Sequence, residues 1–198
     1  MENVLLINGH QPHAASPGRL NKAFAERAAA LLNNRGFPVR RSDTASAWSL
    51  EQAVEDHLWA DLTIVQFPLN SMGVPWSLKR YLDEVFTAGM DGRLAEGDGR
   101  TRSDPSRHYG TGGRLHGRRY VLSVTLNAPA CAFDNASQPI FRGLSLDQLL
   151  APVHVNFAFF GLSALPTFAA YDVKKSPAIE ADFVRFDSHL TSILDAAS

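Results

Sequence analysis

Short apolar runs alternate with stretches of helical spacing along most of the chain. Residues 4–7 are consecutive apolar residues, and longer, mainly apolar runs lie at residues 62–67 and 120–126. Two shorter stretches, the more polar residues 39–42 and residues 167–171, also suit strands. Unbroken apolar runs are typical of strands buried on both faces of a sheet. Between them, apolar residues recur every three or four positions around Phe24, Leu58, Tyr81 and Phe186, which predicts amphipathic helices. Five strands alternating with helices predict a doubly wound α/β sheet.

The boundaries of these elements carry local signals. Ser16 followed by Pro17 predicts the N-cap and first residue of the first helix, and a third helix is expected to start at Trp76. Pro152 is expected to divide the helical segment at residues 144–162. Short connections and right-handed crossovers favour a five-stranded parallel sheet of flavodoxin-like order 2-1-3-4-5, with residues 1–198 forming a single domain.

One long segment interrupts this regular alternation. Residues 89–117 are rich in glycine and charge and hold no hydrophobic period for more than a few positions. They therefore predict a long loop insertion before the fourth strand. Inside a compact domain, such a loop is expected to act as a lid, a binding loop or an interface arm.

Composition excludes several function classes. The chain has 198 residues, a hydrophobic fraction of 45%, a charged fraction of 20% and a formal net charge of −1. That balance gives no basic surface for nucleic acid or anionic lipid, and no apolar run is long enough to span a membrane. The N-terminal residues lack the features of a signal peptide, so a cytoplasmic location is expected. The single cysteine, Cys131, excludes an internal disulfide.

Candidate chemistry is sparse outside the loops that follow the strands. No metal-ligand spacing or nucleophile motif is present, Asp147 and Asp172 have no visible partner, and His154 reads as a core histidine. The first loop, at residues 8–20, opens a helix N-terminus suited to a phosphate but lacks the Walker and GxGxxG patterns. Its histidines, His10 and His13, are expected to be solvated.

The third loop, at residues 67–76, offers an apolar surface with little charge. Its polar members are Asn70 and Ser71, and Met72, Val74 and Trp76 supply apolar surface that suits a flat aromatic ligand, although composition alone favours a packing role. The carboxyl ends of parallel strands meet at one edge of a sheet, where ligands bind. A cofactor that brings its own reactivity, with flavin foremost, fits three such loops.

Four ordered motifs carry a family resemblance: SPGRLN from Ser16, FPLNSMGVPWSLKRYLDEVF from Phe67, GRTRSDPSRHYGTGG from Gly99 and LNAPACAF from Leu126. Together they resemble the flavodoxin-like NAD(P)H:quinone oxidoreductases, most closely a bacterial NADPH:quinone reductase branch, almost from end to end. The resemblance implies FAD, a homodimer and two-electron reduction of quinones by NADPH. In that reaction NADPH delivers hydride to the flavin, leaves, and is replaced in the same pocket by the quinone, so ping-pong kinetics are expected.

The resemblance also implies which residues bind the cofactor. The phosphate segment comprises Ser16, Pro17, Gly18, Arg19, Leu20, Asn21, Lys22 and Ala23. The flavin ring is expected beside Leu69, Asn70, Ser71 and Met72 on one side and Thr125, Leu126, Asn127 and Ala128 on another. The position of the loop, apart from the resemblance, adds Pro68 and Trp76 as residues that enclose the ring. Tyr109 matches a tyrosine that reaches FAD across the dimer interface. No catalytic residue is assigned with certainty, and Tyr109 is a candidate proton donor. Backbone N–H groups near Asn127 are expected to stabilise negative charge on the reduced ring.

One departure from the family pattern affects substrate choice. Asn70 and Ser71 stand where relatives have aromatic side chains, which implies a more open and more polar pocket. Two alternatives remain open from sequence: an FMN-dependent reductase of azo compounds, nitroaromatics or metal oxyanions, and a flavin-loaded sensor or interaction protein with little turnover.

Overall fold

The computed structural model describes residues 2–14 and 16–196, so the ends of the domain expected at residues 1–198 lie outside the described residues. Strands and helices alternate through most of the chain. In order they are β1 Val4–Asn8, α1 Arg19–Asn34, β2 Val39–Asp43, α2 Leu50–Trp59, β3 Leu62–Pro68, α3 Trp76–Gly89, β4 Arg119–Thr125, α4 Leu146–Leu149, α5 Ala151–Phe159, β5 Ser163–Ala164, β6 Phe168–Ala170 and α6 Ile179–Asp195.

All strand pairs in the sheet are parallel. The order is β2-β1-β3-β4-β5, and β6 also pairs with β4, further along the same edge. The predicted order 2-1-3-4-5 is therefore confirmed. The strand predicted at residues 167–171 is present as β6, but the two-residue strand β5 that precedes it at Ser163–Ala164 was not predicted. Pro166 separates them, since proline has no N–H to donate to the neighbouring strand.

The sheet separates two hydrophobic layers. Phe67 and Leu122 pack on one face with Tyr81 of α3, in a cluster that also includes α5. Ile64 packs on the other face with Phe24 of α1 and with residues of α6. The central strands β1 and β3 are almost wholly buried, as their mainly apolar sequences predict. Helix α3 begins at Trp76 as predicted, and the segment after β4 divides into α4 and α5 next to Pro152.

The predicted insertion forms a loop that is anchored at its base. Residues 90–118, all of them described, form no helix and no strand. The backbone N–H of Glu96 donates to Gly112 O at 2.8 Å, and the N–H of Leu115 donates to Phe160 O at 2.9 Å. Leu94, Ala95 and Leu115 are buried beneath these contacts. The base of the loop is thus fixed to the end of α5, whereas most of residues 99–109 are exposed.

A buried histidine gives the fold a dependence on acid. His57 lies in α2, is 1% exposed, and packs its ring 5.2 Å from that of Phe86. Burial, together with a smaller contribution from the nearby Arg118 guanidinium, lowers its pKa from 6.5 to about 4. Its Nδ1 has no hydrogen-bond partner within the described part of the chain. His57 is therefore neutral in the folded protein at neutral pH.

Acid is expected to weaken the fold through His57. The folded pKa lies below the unfolded one, so between pH 6.5 and about 4 only the unfolded chain takes up this proton. Stability falls as pH falls through that window by roughly 3 kcal/mol, and the group contributes no pH dependence above it. Urea unfolding from pH 7.5 to 4 measures the decline. His57→Phe is expected to make the decline shallower, whereas the exposed control His108→Phe is expected to leave it unchanged; equal slopes in all three proteins would refute the assignment.

Candidate functional site

The carboxyl edge of the sheet carries a cleft of about 320 Å³. It lies where β1 and β3, neighbours in the sheet, send their following helices α1 and α3 to opposite faces. The diverging loops leave a crevice at such a switch point, which is where open α/β sheets bind ligands. Residues 16–21, 68–70 and 125–127 line the cleft together. The structure thus brings together the three loops that the sequence places at one edge.

The first of these loops ends differently from its sequence-based prediction. Helix α1 begins at Arg19, its N-cap is Gly18 with φ 84°, and no side chain caps it. Ser16 instead exchanges backbone hydrogen bonds with His13, at 2.9 and 3.1 Å. The prediction that Ser16 caps the helix and Pro17 opens it is therefore wrong, because the loop closes on itself before the helix starts. Without a capping side chain, the first N–H groups of α1 are open to a ligand.

His10 contradicts the expectation of a solvated loop histidine. It is 3% exposed, and its ring lies so close to Gly18 that a Cβ on that glycine would be 2.3 Å from Nδ1. Burial lowers its pKa, and a backbone hydrogen bond with Ser16 partly offsets this by raising it. Its Nε2 has no partner within residues 2–14 and 16–196. A buried polar atom without a partner therefore lies next to the helix N-terminus, a signal that hydrophobic periodicity does not reveal.

A buried polar network fixes α1 to the sheet beneath the cleft. Asn21 Nδ2 donates to Thr125 Oγ1 at 3.0 Å, and Gln66 Nε2 donates to Asn21 Oδ1 at 2.8 Å. Ser123 Oγ donates to Gln66 Oε1 at 2.6 Å. All four residues are at most 4% exposed. Gln66 and Ser123 were not predicted as site residues, although each is a polar residue within a mainly apolar strand and could have been recognised by that.

The β3–α3 loop contains a tight turn with two left-handed residues. Asn70 and Gly73 exchange backbone hydrogen bonds at 2.8 and 2.9 Å, and between them Ser71 has φ 48° and Met72 has φ 65°. Positive φ at both central positions is typical of a type I′ turn, in which residues other than glycine and asparagine are strained. Leu69 and Asn70 line the cleft, whereas Met72 lies on the far side of the turn.

Beyond this turn lies a second, larger cavity of about 710 Å³. Mainly apolar side chains of α3 and α5 line it, together with Met72 and Tyr109. Tyr109 is 70% exposed, and its ring lies 5.6 Å from that of Phe159. Within one chain, therefore, Tyr109 is at this second cavity and not at the cleft.

The predicted site residues divide into two groups. The lining residues of the cleft are Ser16, Pro17, Gly18, Arg19, Leu20, Asn21, Pro68, Leu69, Asn70, Thr125, Leu126 and Asn127. Those that do not line it are Lys22, Ala23, Ser71, Met72, Trp76, Tyr109 and Ala128. Three lining residues had not been expected: His13, Val173 and Lys174. The last two follow β6, a strand whose loop was not among the loops predicted to bind a ligand.

Two other candidate residues, His154 and Asp147, have hydrogen-bond partners. His154 Nδ1 forms a hydrogen bond with the Tyr120 hydroxyl at 2.7 Å, so this histidine has a partner, as expected. Its Nε2 lies 3.3 Å from an Asp147 carboxylate oxygen, so Asp147 is not isolated, contrary to expectation. In the described part of the chain no cluster of acidic, histidine and cysteine side chains is suited to a metal ion. Among the same residues, no helix combines the length and apolar character needed to cross a bilayer.

Comparison with known proteins identifies the family. A family model for the flavodoxin-like fold matches residues 2–190. An uncharacterised protein of Schizosaccharomyces pombe is 40% identical over 195 residues, which cover 98% of each chain. NADPH:quinone oxidoreductase MdaB of Haemophilus influenzae is 37% identical over 191 residues, which cover 96% of this chain and 98% of MdaB.

A crystal structure from Klebsiella pneumoniae, named as a quinone reductase, shares the fold. It superposes with a TM-score of 0.75 at 23% identity, and the match covers 100% of this chain and 85% of that one. The sequence-based resemblance is confirmed by these matches. The chain belongs to the family of proteins with the flavodoxin-like fold, and it is an oxidoreductase of that family.

Proposed function

We propose that this oxidoreductase transfers two electrons from NADPH to a quinone through a bound FAD. The observation that carries the proposal is the cleft at the switch point, where an open helix N-terminus meets two loops of low charge. The name of the relative MdaB, an NADPH:quinone oxidoreductase, supports the same reaction. Overall, NADPH, a proton and a quinone give NADP⁺ and a hydroquinone.

The phosphate end of the cleft fits an anionic cofactor. Gly18 has no Cβ, and its positive φ leaves the first N–H groups of α1 uncapped. Next to Gly18 lies the ring of the buried His10, whose Nε2 has no partner in the described chain, although His10 does not itself line the cleft. Helix N-termini with free N–H groups bind phosphate because the backbone donors and the helix dipole act together. We assign this end to the cofactor phosphates.

The other end of the cleft fits a flat ring. Leu69, Asn70 and Leu126 line it, and the backbone N–H of Leu69 is already bonded to Thr125 O at 2.9 Å. The N–H of Asn127, by contrast, donates to no backbone carbonyl within the described residues. It is therefore the donor that we assign to the ring. A bound flavin accepts a hydride equivalent and releases two electrons, and this chain's task is to orient it and to donate hydrogen bonds to its reduced form.

The acceptor side of the ring is shaped by the β3–α3 turn. Met72 and Trp76 are 56% and 64% exposed, and Ser71 is exposed between them and Asn70. The surface formed by this turn is exposed to solvent and carries the polar side chains of Asn70 and Ser71. We therefore propose that the enzyme accepts bulkier and more polar quinones than relatives that have aromatic side chains at these two positions.

Steady-state kinetics test the reaction. NADPH oxidation is expected to depend on added quinone and to give parallel lines in double-reciprocal plots, because NADPH and quinone use the pocket in turn. NADH in place of NADPH, over the same quinone panel, measures the nucleotide preference. Turnover with azo dyes or nitroaromatics and not with quinones would instead favour the FMN-dependent alternative. Binding of flavin without turnover of any acceptor would favour a sensor or interaction protein.

We further propose that the active form is a homodimer. The second cavity presents an apolar surface of α3 and α5, and Tyr109 stands exposed beside it, outside its own cleft. Tyr109 therefore reaches a cofactor only if a second copy brings that cofactor to it. Apolar surfaces of this kind are typical of protein–protein contacts.

Tyr109 provides the test of the dimer. Light scattering is expected to give twice the mass of the 21.7 kDa chain. Tyr109→Ala is expected to weaken flavin binding about fivefold by removing a ring contact, whereas Ile140→Ala, at an exposed apolar residue elsewhere, is expected to have no effect. A monomer that binds FAD as tightly after Tyr109→Ala as before would refute this role.

A further inference from the structure

Two unpaired cations line the cleft from different elements. Arg19 opens α1, and Lys174 follows β6. Within the described residues neither forms an ion pair, whereas nine other arginines pair with carboxylates: Arg27, Arg35, Arg40, Arg41, Arg80, Arg93, Arg100, Arg114 and Arg185. No aspartate or glutamate is among the residues that line the cleft. The cleft is therefore positively charged, although the chain as a whole is nearly neutral.

The placement of these charges distinguishes between phosphate ligands. The N-terminus of α1, whose first N–H groups have no side-chain cap, supplies backbone donors for a phosphate group. Lys174 lines the same cleft from another element, the loop that follows the sheet-edge strand β6. An adenosine diphosphate carries negative charge on two phosphate groups, so a second cation in the cleft attracts it more strongly than it attracts a monophosphate.

We propose that Lys174 is a specificity residue that selects the diphosphate cofactor FAD over FMN. The inference rests on the proposed function, because it concerns the same cleft. Both FAD and NADPH contain an adenosine diphosphate group that Lys174 could attract. We assign Lys174 to FAD because it lines the same cleft as the helix N-terminus to which we assign the cofactor phosphates. Lys174 acts by electrostatic attraction, so its effect is expected to weaken as ionic strength rises.

Flavin titration of the apoprotein tests the proposal, with a matched control next to the site. Lys175 is also exposed but does not line the cleft. FAD and FMN are titrated separately into the wild type, Lys174→Gln and Lys175→Gln, with flavin fluorescence as the readout. Lys174→Gln is expected to weaken FAD binding about fivefold and FMN binding less than twofold, which is the scale of one exposed charge pair. Lys175→Gln is expected to change neither.

The outcomes separate this proposal from the one on which it rests. If the wild type binds neither flavin, the proposed function fails and this inference fails with it. If the wild type binds FAD but Lys174→Gln weakens FAD and FMN equally, or neither, only the role of Lys174 is overturned. If Lys174→Gln leaves FAD affinity unchanged and raises KM for NADPH in the FAD-loaded enzyme, the lysine serves the nucleotide substrate and the inference is wrong. A smaller FAD difference between wild type and Lys174→Gln at high salt supports the proposal.

Discussion

Gly18→Ala is expected to lower the free energy of unfolding by about 3 kcal/mol and to abolish tight flavin binding. Gly18 has φ 84°, a conformation that costs an alanine roughly 1–2 kcal/mol. An added Cβ would also lie 2.3 Å from Nδ1 and 2.4 Å from Cε1 of the buried His10 ring. Relieving such overpacking typically costs about 1–3 kcal/mol. The same displacement moves the first N–H groups of α1, so the phosphate site is expected to be lost along with the stability.

Gly36 provides a matched control at the other end of α1. Its φ is 79°, but a Cβ there would meet no atom within 4 Å. Gly36→Ala is therefore expected to cost only the backbone strain, about 1 kcal/mol, and to leave flavin affinity unchanged. Urea unfolding and flavin titration on both variants give the comparison. Equal losses of stability in the two would show that contact with His10 is not important.

Asn21→Ala is expected to destabilise the protein by a similar amount through a different mechanism. Asn21 bonds both Gln66 and Thr125, and all three side chains are buried. Removing it leaves Gln66 Nε2 and Thr125 Oγ1 without their partner, and each buried group that loses a hydrogen bond costs about 1–3 kcal/mol. We expect a loss of about 3 kcal/mol. Because Asn21 and Thr125 both line the cleft, flavin affinity is expected to fall as well.

Asn34→Ala is the control for this variant. Asn34 lies exposed in the last turn of the same helix. Its replacement is expected to change stability by less than about 0.5 kcal/mol, as surface substitutions usually do. Urea unfolding midpoints measure both. An Asn21→Ala protein as stable as Asn34→Ala would mean that the buried network is not what fixes α1 to the sheet.

The sheet was predictable from sequence because it follows from periodicity. Buried strands such as β1 and β3 are mainly apolar, and the apolar residues of α3 recur at helical spacing. The least regular element, the sheet edge, was predicted least well. Pro166 splits that edge into β5 and β6, and strands of two and three residues carry too few positions for any period to be visible.

The cleft was predictable in its loops but not in all its side chains. Parallel strands place the ends of β1, β3 and β4 at one edge, so residues 16–21, 68–70 and 125–127 were expected together. Backbone conformation was not predictable in the same way: Ser16 reads as a cap until the His13 bridge and the left-handed Gly18 are seen. His10 and Lys174 depend on tertiary placement alone. Their roles follow from burial and from the position of β6, and neither has a local sequence signal.

The central claim is that the cleft holds FAD, and one measurement tests it most directly. The protein is purified with its native cofactor, or reconstituted with an equimolar mixture of FAD and FMN, and denatured; the released flavin is then identified by chromatography and counted against protein. FAD is expected at one molecule per chain. Release of FMN in place of FAD, or a protein that takes up neither flavin, would contradict the claim.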